Sequence, residues 1–349
     1  MRVFFLVLAV LALPKLHTVV AWDFFWVAFF VGRVSKEPNQ GGKAVGLLPI
    51  DIDILPPSDD RIFKLILASP EGNPALIDLV SSLINRRVAD AVVRNNELPP
   101  GDTGEKAERL DVNCRTDDGT QVDLEMQASR IQEDSGGGHK NLKGKSVYYL
   151  CDLHSSQPSK GLRRYDRLAQ TYQVTFCSYT VFPNLPDYLN TFSMRHDTTG
   201  ELLSDAIRVI YVELSKLGGI LKKPIEEMSD LEKWAVFFQY ASIPAHRETV
   251  NKVIQSKEAL KMAGSLLMSV SKDEEERAKF RSRRMYQSDL ESNLATAEDR
   301  GEKRGIKKGR QEGLFEVAGN LLKTSLPLDE IAKVTGLTIE EIDKLRHKG

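Results

Sequence analysis

The sequence predicts an α/β fold in which a sheet of about four strands is flanked by helices and followed by an all-helical C-terminal region. Alternating apolar and polar residues over 109–127 indicate two strands, each buried on one side, that are joined by a tight turn. Residues 173–182 and 206–214 are rich in β-branched and aromatic side chains and indicate two more strands. Apolar residues recur at helical spacing over 58–84 and again from residue 228 onward.

Two helices are predicted before the strands. Ser58 or Asp59 can cap the first, which ends near residue 69, and Asn73 followed by Pro74 opens the second. We expect both helices to pack beneath the hairpin. Asp60, at the start of the first helix, is either an additional acidic group of a functional site or, as we favour, a carboxylate stabilised by the helix dipole.

The predicted hairpin brings two acidic residues together. A three-residue loop at 117–119, with Gly119 in the left-handed conformation, pairs Thr116 with Thr120. This register places Asp111 directly opposite Glu125, with Cβ atoms about 4.5–5.5 Å apart. Two carboxylates in that position repel each other unless a cation lies between them.

The facing pair Asp111 and Glu125 therefore predicts a divalent metal site. Its hard oxygen ligands suit Mg²⁺, or another divalent ion such as Mn²⁺ or Ca²⁺, better than zinc. Gln127 projects from the same face as Glu125 and could orient a water molecule. Taken alone, the pattern fits a solvated acidic hairpin better than a metal site.

The ordered set of motifs resembles the Rpn family of recombination-promoting nucleases and putative transposases, which belongs to the PD-(D/E)XK nuclease superfamily. The resemblance is carried by Asp111, the triplet Glu125-Met126-Gln127 and the upstream residues 60–64. Further similar stretches lie at residues 148–150, 161–165, 206–214 and 229–234 and in the glycine-spaced tail, so that the similarity covers roughly residues 50–349.

The resemblance implies a restriction-endonuclease-like mixed sheet and a metal-dependent DNA endonuclease with a part in recombination or mobile-element movement. It also implies that Asp111 and Glu125 hold the metal and that Gln127 orients the attacking water. Most of the superfamily has lysine where this chain has Gln127. The alternative function is a catalytically inactive DNA-binding or protein-interaction module of the same fold.

Charge and cysteine usage constrain the partners and the compartment. The chain has 48 basic and 49 acidic residues, so any DNA-binding surface must be local. Its three cysteines lack metal-ligand spacing, and their odd number favours a reducing compartment, in agreement with a cytoplasmic nuclease. Each cysteine is expected to be a small buried residue.

Residues 1–34 are strongly apolar, and three interpretations fit them: a secretory signal, a membrane anchor, or an extension that the nuclease core does not use. Pro14, Lys15, His17 and Asp23 interrupt the apolar run, which argues against an ordinary transmembrane helix. We favour the third interpretation and do not favour membrane contact.

We divide the chain into an N-terminal extension and linker (1–49), a nuclease-like core (50–220), a helical region (221–298) and a basic connector with a helical hairpin (299–349). Residues 132–145 are predicted to be a polar loop, and 188–193 an edge strand.

The C-terminal region contains glycines at every fourth position among basic residues, namely Gly301, Gly305, Gly309 and Gly313. This spacing predicts an easily deformed helical connector that contacts DNA or tethers the tail. The tail itself predicts two short helices around Gly336, which resemble a helix-turn-helix. Because acidic residues begin the second helix, self-association or partner docking is the favoured role.

Overall fold

The computed structural model describes residues 45–94, 112–128, 139–157 and 165–346, and these contain a six-stranded sheet. The strands are β1 (Ala91–Val93), β2 (Val112–Thr116), β3 (Gln121–Gln127), β4 (Thr171–Cys177), β5 (Leu189–Arg195) and β6 (Leu202–Glu213). The helices are α1 (Asp60–Leu67), α2 (Asn73–Ile84), α3 (Lys140–Ser155), α4 (Asp230–Tyr240), α5 (Arg247–Gln255), α6 (Glu258–Lys272), α7 (Glu274–Leu321), α8 (Leu328–Thr335) and α9 (Ile339–Arg346). The predicted α/β class is confirmed.

The strands are arranged in the order β1-β2-β3-β4-β6-β5. The pairs β3–β4 and β4–β6 are parallel, whereas the other neighbours are antiparallel. The sheet is therefore mixed, and β3 lies in its interior with a strand on each side. The predicted strand over 188–193 is confirmed as the edge strand β5, whereas β1, at the other edge, was not predicted.

One face of the sheet is covered by α1 and α4, which pack through aromatic side chains. Phe63 of α1, Phe176 of β4 and Phe238 of α4 form a cluster with ring centroids 5.3 to 5.8 Å apart. Trp234 of α4 is fully buried and donates its Nε1–H to Asp78 Oδ1 of α2 at 2.8 Å. Full burial of such side chains stabilises the fold by about 1.5–3 kcal/mol each.

The opposite face is covered by α3. Leu142 and Leu150 of this helix are buried in a cluster with Tyr211 of β6. Residues 140–145 belong to α3, so the prediction of a loop over 132–145 is wrong for them. Leu142 lies on the same helix face as Leu150, two turns along, and its packing against the sheet extends the helix toward its N-terminus.

Side-chain caps fix the starts of α1 and α4, and the predicted cap of α1 is confirmed. The Asp59 side chain accepts hydrogen bonds from the Arg61 and Ile62 backbone N–H groups at the start of α1. At the start of α4, Ser229 and Glu232 form a reciprocal capping box. The sequence therefore determines both entry points locally.

The described residues from Lys279 onward form a second compact unit. The glycine-spaced stretch is part of the continuous helix α7, in which Gly301, Gly305 and Gly309 are exposed and Gly313 is half-buried, and all four have open space where a Cβ would lie. The helices α8 and α9 form the predicted hairpin, in which Gly336 takes a φ of 70° and Ile331 and Ile342 are buried. Self-association through these helices stays a prediction.

The cysteines only partly match the expectation of burial. Cys114 and Cys177 are buried free thiols, whereas Cys151 is an exposed free thiol on α3. Burial, with a smaller contribution from the Asp123 charge, raises the pKa of Cys114 to about 12. Cys114 is therefore a small core residue and not a thiolate nucleophile.

Across the described ranges, no helix combines the length and the apolar composition needed to cross a bilayer. The apolar residues 1–34 lie outside those ranges. The four-part division of the chain and the cytoplasmic location stay predictions.

Candidate active site

The hairpin of β2 and β3 has the predicted turn and register. The Thr116 N–H donates to the Thr120 carbonyl at 2.9 Å, and Gly119 takes a φ of 91°. The pairing of Val112 with Leu124 and of Asn113 with Asp123 is the register that the sequence predicts. Asp111 itself lies outside the described residues.

Asp123, Glu125 and Gln127 alternate along β3 and share one face of the sheet. The sequence predicts that the hairpin strands are buried on one side only, and this is wrong for β3, because Asp123 is 0% exposed and Glu125 is 1% exposed. Helix α3 covers this face. The burial of two carboxylates two residues apart is the main unpredicted feature of the site.

Three carboxylate oxygens on this face have no hydrogen-bond partner within the described part of the chain. They are both oxygens of Asp123 and Oε1 of Glu125. A buried polar atom without a partner costs about 1–3 kcal/mol, and more when it is charged. The fold therefore tolerates a local arrangement that is unfavourable in itself, which is common at functional sites.

The environment of Asp123 favours its protonated form. Burial raises the pKa of the Asp123 carboxyl well above its ordinary value, and the neighbouring Glu125 charge raises it further. The charge of Lys145, the nearby Gln173 side chain and the charge of Lys64 act in the opposite direction and are outweighed, and Gln173 does not reach hydrogen-bonding geometry with either Asp123 oxygen. A carboxyl in this position would ionise readily only if additional positive charge came close to it.

Lys145 also belongs to the candidate site, and the sequence did not predict it there. It projects from α3, and its Nζ donates to Glu125 Oε2 at 2.5 Å while it also lies 5.1 Å from the ring centroid of Tyr149. The predicted loop placed Lys145 outside any helix. The apolar spacing of Leu142 and Leu150 could have revealed that the helix begins earlier and brings Lys145 over the sheet.

Gln127 occupies the predicted position beside Glu125. Its side chain is half-buried and donates from Nε2 to Glu125 Oε2 at 3.3 Å. Glu125 Oε2 thus receives both the amide of Gln127 and the ammonium group of Lys145. Asp60 lies in the first turn of α1, where its Oδ1 is 3.7 Å from Lys64 Nζ, in agreement with the favoured role at the helix start.

The neighbouring strand β4 extends the polar layer under α3. Gln173 pairs with Asp123 and Thr175 with Glu125 in the parallel register. Thr175 Oγ1 donates to Gln173 Oε1 at 3.2 Å, and Ser146 of α3 is hydrogen-bonded to Tyr211 at 2.7 Å. The hydrogen bond between Ser146 and Tyr211 helps to hold α3, and therefore Lys145, over the sheet.

The donor set suits a hard divalent cation. Carboxylate oxygens are the ligands that Mg²⁺ and Mn²⁺ take, and the described side chains of the site, Asp123, Glu125, Gln127 and Lys145, include no thiolate or imidazole that would favour zinc. Within the described ranges, no three or more His, Cys, Asp or Glu side chains are grouped as a metal cluster. The described residues alone could therefore supply only part of a ligand set.

The architecture and the site together define the class of protein. A mixed sheet with flanking helices, whose inner hairpin strand carries the acidic residues, is the fold of the PD-(D/E)XK nucleases. The predicted fold is confirmed, including its helical C-terminal region.

The family profile described as PD-(D/E)XK nuclease family transposase matches residues 57–297. The match spans more than half of the chain, and the protein belongs to this family. The resemblance carried by Asp111 and the triplet at 125–127 is confirmed at this level. No significant match was found among curated proteins or solved structures. Family membership indicates a nuclease with DNA as its substrate.

Proposed function

We propose that this protein is a metal-dependent DNA endonuclease that hydrolyses phosphodiester bonds at the polar face of β3. The observation that carries the proposal is the group of three buried carboxylate oxygens that have no hydrogen-bond donor among the described residues, held beside Lys145. Such a group is costly in a resting protein, and a divalent cation would compensate for it.

Asp111 and Glu125 would hold the cation, with Asp123 close enough along the strand to contribute an oxygen. When bound, a divalent ion supplies Lewis acidity toward a phosphoryl oxygen and lowers the pKa of a water molecule. The pairing of Val112 with Leu124 supports this assignment, because Asp111 is the residue immediately before Val112. Mg²⁺ is the ion that we favour, with Mn²⁺ and Ca²⁺ as alternatives.

Lys145 would supply the cation that Gln127 does not. Its Nζ is held at Glu125 Oε2, next to the carboxylates that would bind the metal. A fixed ammonium group there stabilises the negative charge that develops on the phosphate as the phosphodiester bond breaks. A lysine delivered by α3 thus substitutes for the lysine that most of the superfamily carries on the strand.

Gln127 would orient the attacking water. Its amide group offers an oxygen acceptor and an NH₂ donor, so it can hold a water molecule in one orientation while it donates to Glu125 Oε2. An amide cannot accept the proton that the water loses. The role of Gln127 is therefore positioning, and Glu125 or another carboxylate would receive the proton.

A second candidate is a catalytically inactive DNA-binding or protein-interaction module of the same fold. Two observations favour it: Glu125 is 1% exposed, and one of its oxygens is already bound by Lys145. A role in DNA recombination or transposon movement is proposed only from the family description.

Supercoiled plasmid incubated with the full chain and Mg²⁺ tests the two candidates. We expect nicked or linear product with Mg²⁺, none with chelator, and none with Asp111→Ala in Mg²⁺. Glu201→Gln, which changes an exposed carboxylate before β6, is the matched control and should cut like the wild type. If folded protein cuts with no divalent ion, or if Asp111→Ala retains full activity, the endonuclease proposal is wrong.

A further inference from the structure

A cleft of about 670 Å³ opens on the face of the sheet opposite to the candidate active site. It lies between the C-terminal half of α2, the strands β4 to β6 and the start of α4. Tyr172 of β4 lines it, and Tyr172 alternates with Gln173, the neighbour of Asp123. The cleft is therefore separate from the carboxylates of β3.

Three arginines line this cleft, which we call the arginine cleft: Arg86, Arg87 and Arg208. Arg86 is engaged, because its Nη2 lies 2.8 Å from Asp118 Oδ2 and 2.7 Å from Thr120 Oγ1. The side chains of Arg87 and Arg208 make no hydrogen bond or ion pair with any residue that the structure describes, and the Nε of Arg208 is buried. A buried guanidinium N–H without an acceptor is costly and points to a ligand that would accept from it.

The carboxylates that line the arginine cleft do not compensate these charges. Asp78 and Asp230 both lie within ion-pair distance of Lys257 Nζ, at 2.7 and 2.6 Å. Asp78 additionally accepts from Trp234. The cleft thus retains the positive charge of Arg87 and Arg208, and it selects for an anion.

The size and the chemistry of the cleft favour a phosphate-bearing ligand. Guanidinium groups bind phosphate through paired N–H donors, which a point charge cannot reproduce. The volume lies within the range of about 300–1,000 Å³ that is usual for small-molecule sites. Tyr188, which is half-buried, also lines the cleft and adds an aromatic ring to its wall. These features fit a nucleotide better than a simple inorganic anion.

We propose that the arginine cleft binds the phosphate group of a nucleotide through Arg87 and Arg208. The nucleotide is either a free mononucleotide or part of a nucleic-acid strand, which share this chemistry. The proposal is independent of the endonuclease activity, because no residue of the cleft belongs to the candidate active site.

Isothermal titration calorimetry of the full chain in chelator tests the proposal without any cleavage. The probes are inorganic phosphate, 5′-deoxyadenosine monophosphate and an eight-nucleotide single strand without terminal phosphates. We expect the mononucleotide or the strand to bind more tightly than inorganic phosphate. Binding of the mononucleotide alone would identify a free nucleotide as the ligand, and binding of the strand alone would identify the nucleic-acid backbone.

Variants then assign the binding to the cleft. Arg208→Gln and Arg87→Gln should each weaken binding about 10-fold or more, since each removes a charge-assisted hydrogen bond. Arg208→Lys should recover only part of the affinity, because lysine keeps the positive charge but lacks the paired N–H donors of a guanidinium group. Arg167→Gln, at an exposed arginine that does not line the cleft, should bind like the wild type.

Two outcomes would overturn the proposal. One is the absence of binding heat with every probe in folded wild-type protein. The other is unchanged affinity in the Arg87→Gln variant. Because Arg87 is exposed on the segment after α2, its substitution should not impair folding, and the test does not depend on the half-buried Arg208.

Discussion

Buried carboxylates occur at two places on this sheet, and they differ in how many hydrogen-bond donors they have. Glu213, at the end of β6, is 0% exposed, and both of its oxygens have donors. Oε1 accepts from the backbone N–H groups of Val181 and Phe182 at 2.6 and 3.0 Å, and Oε2 accepts from Asn190 and Lys216 at 2.8 and 2.6 Å. Each oxygen of the buried Glu213 carboxylate therefore accepts two hydrogen bonds from the protein.

On β3, Asp123 and Glu125 are buried to the same extent with far fewer donors. Lys145 and Gln127 both bind Oε2 of Glu125, and three other oxygens have no partner among the described residues. The contrast shows that this fold can satisfy a buried carboxylate completely. The arrangement on β3 is therefore best understood as suited to ligand binding and not as a limit of the packing.

The largest expected effect separates activity from stability. Glu125→Gln should lower plasmid cleavage by about 10³-fold, because it removes a proposed metal ligand and the counter-charge of Lys145. Its melting temperature should stay within a few degrees of the wild type, measured by calorimetry in chelator. Unchanged cleavage would remove Glu125 from the proposed ligand set and erase the contrast with Glu213.

Glu213→Gln should show the converse behaviour. The free energy of unfolding should fall by about 3 kcal/mol, since the variant leaves Lys216 buried without its anionic partner. Urea denaturation followed by circular dichroism measures this change. The folded fraction should still cut DNA at the wild-type rate per molecule. A loss of cleavage without a loss of stability would mean that Glu213 is not merely structural.

Lys145→Met should lower cleavage by about 10²-fold, because the apolar chain fills a similar volume without the charge. Lys145→Arg should recover part of the rate. Lys143→Met, two positions earlier on α3, provides a control that removes a lysine from the same helix. Cleavage rates are measured at saturating Mg²⁺. Equal rates for Lys145→Met and Lys143→Met would contradict the role of Lys145.

The smallest effect concerns Asp123. Asp123→Asn replaces a buried carboxyl of raised pKa by a neutral group of the same shape, so the metal-free protein should gain about 1 kcal/mol of unfolding free energy. The rise in melting temperature on addition of Mg²⁺ should be smaller than in the wild type. A less stable metal-free variant would indicate that Asp123 has a structural role like that of Glu213.

The sequence predicts this site in part, for local reasons. Strand alternation and Gly119 determine the hairpin register, so Glu125 and Gln127 could be placed on one face without any tertiary information. The burial of that face could not be predicted, because it depends on α3 packing across the sheet. The strand β1 has only three residues, Ala91–Val93, which is too short to give a periodic pattern.

Lys145 shows the limit most directly. Its contact with Glu125 joins residues 20 positions apart, and only the docking of α3 brings them together. The sequence around the first turns of α3 is polar and contains glycine, so it does not show a helical pattern. The arginine cleft was missed for the same reason, since Arg87 and Arg208 come from distant segments that meet only in the folded sheet.

The two strands that pair with β3 are connected to it by chain segments of very different length. The contact with β2 closes across the short turn around Gly119, whereas the contact with β4 closes only after the chain has crossed through α3. Loop-closure entropy favours the short closure, so the acidic hairpin can assemble ahead of the crossover. In this order of assembly, Lys145 reaches the hairpin together with α3, and its ammonium group then pairs with the Glu125 carboxylate, which is already in place on β3.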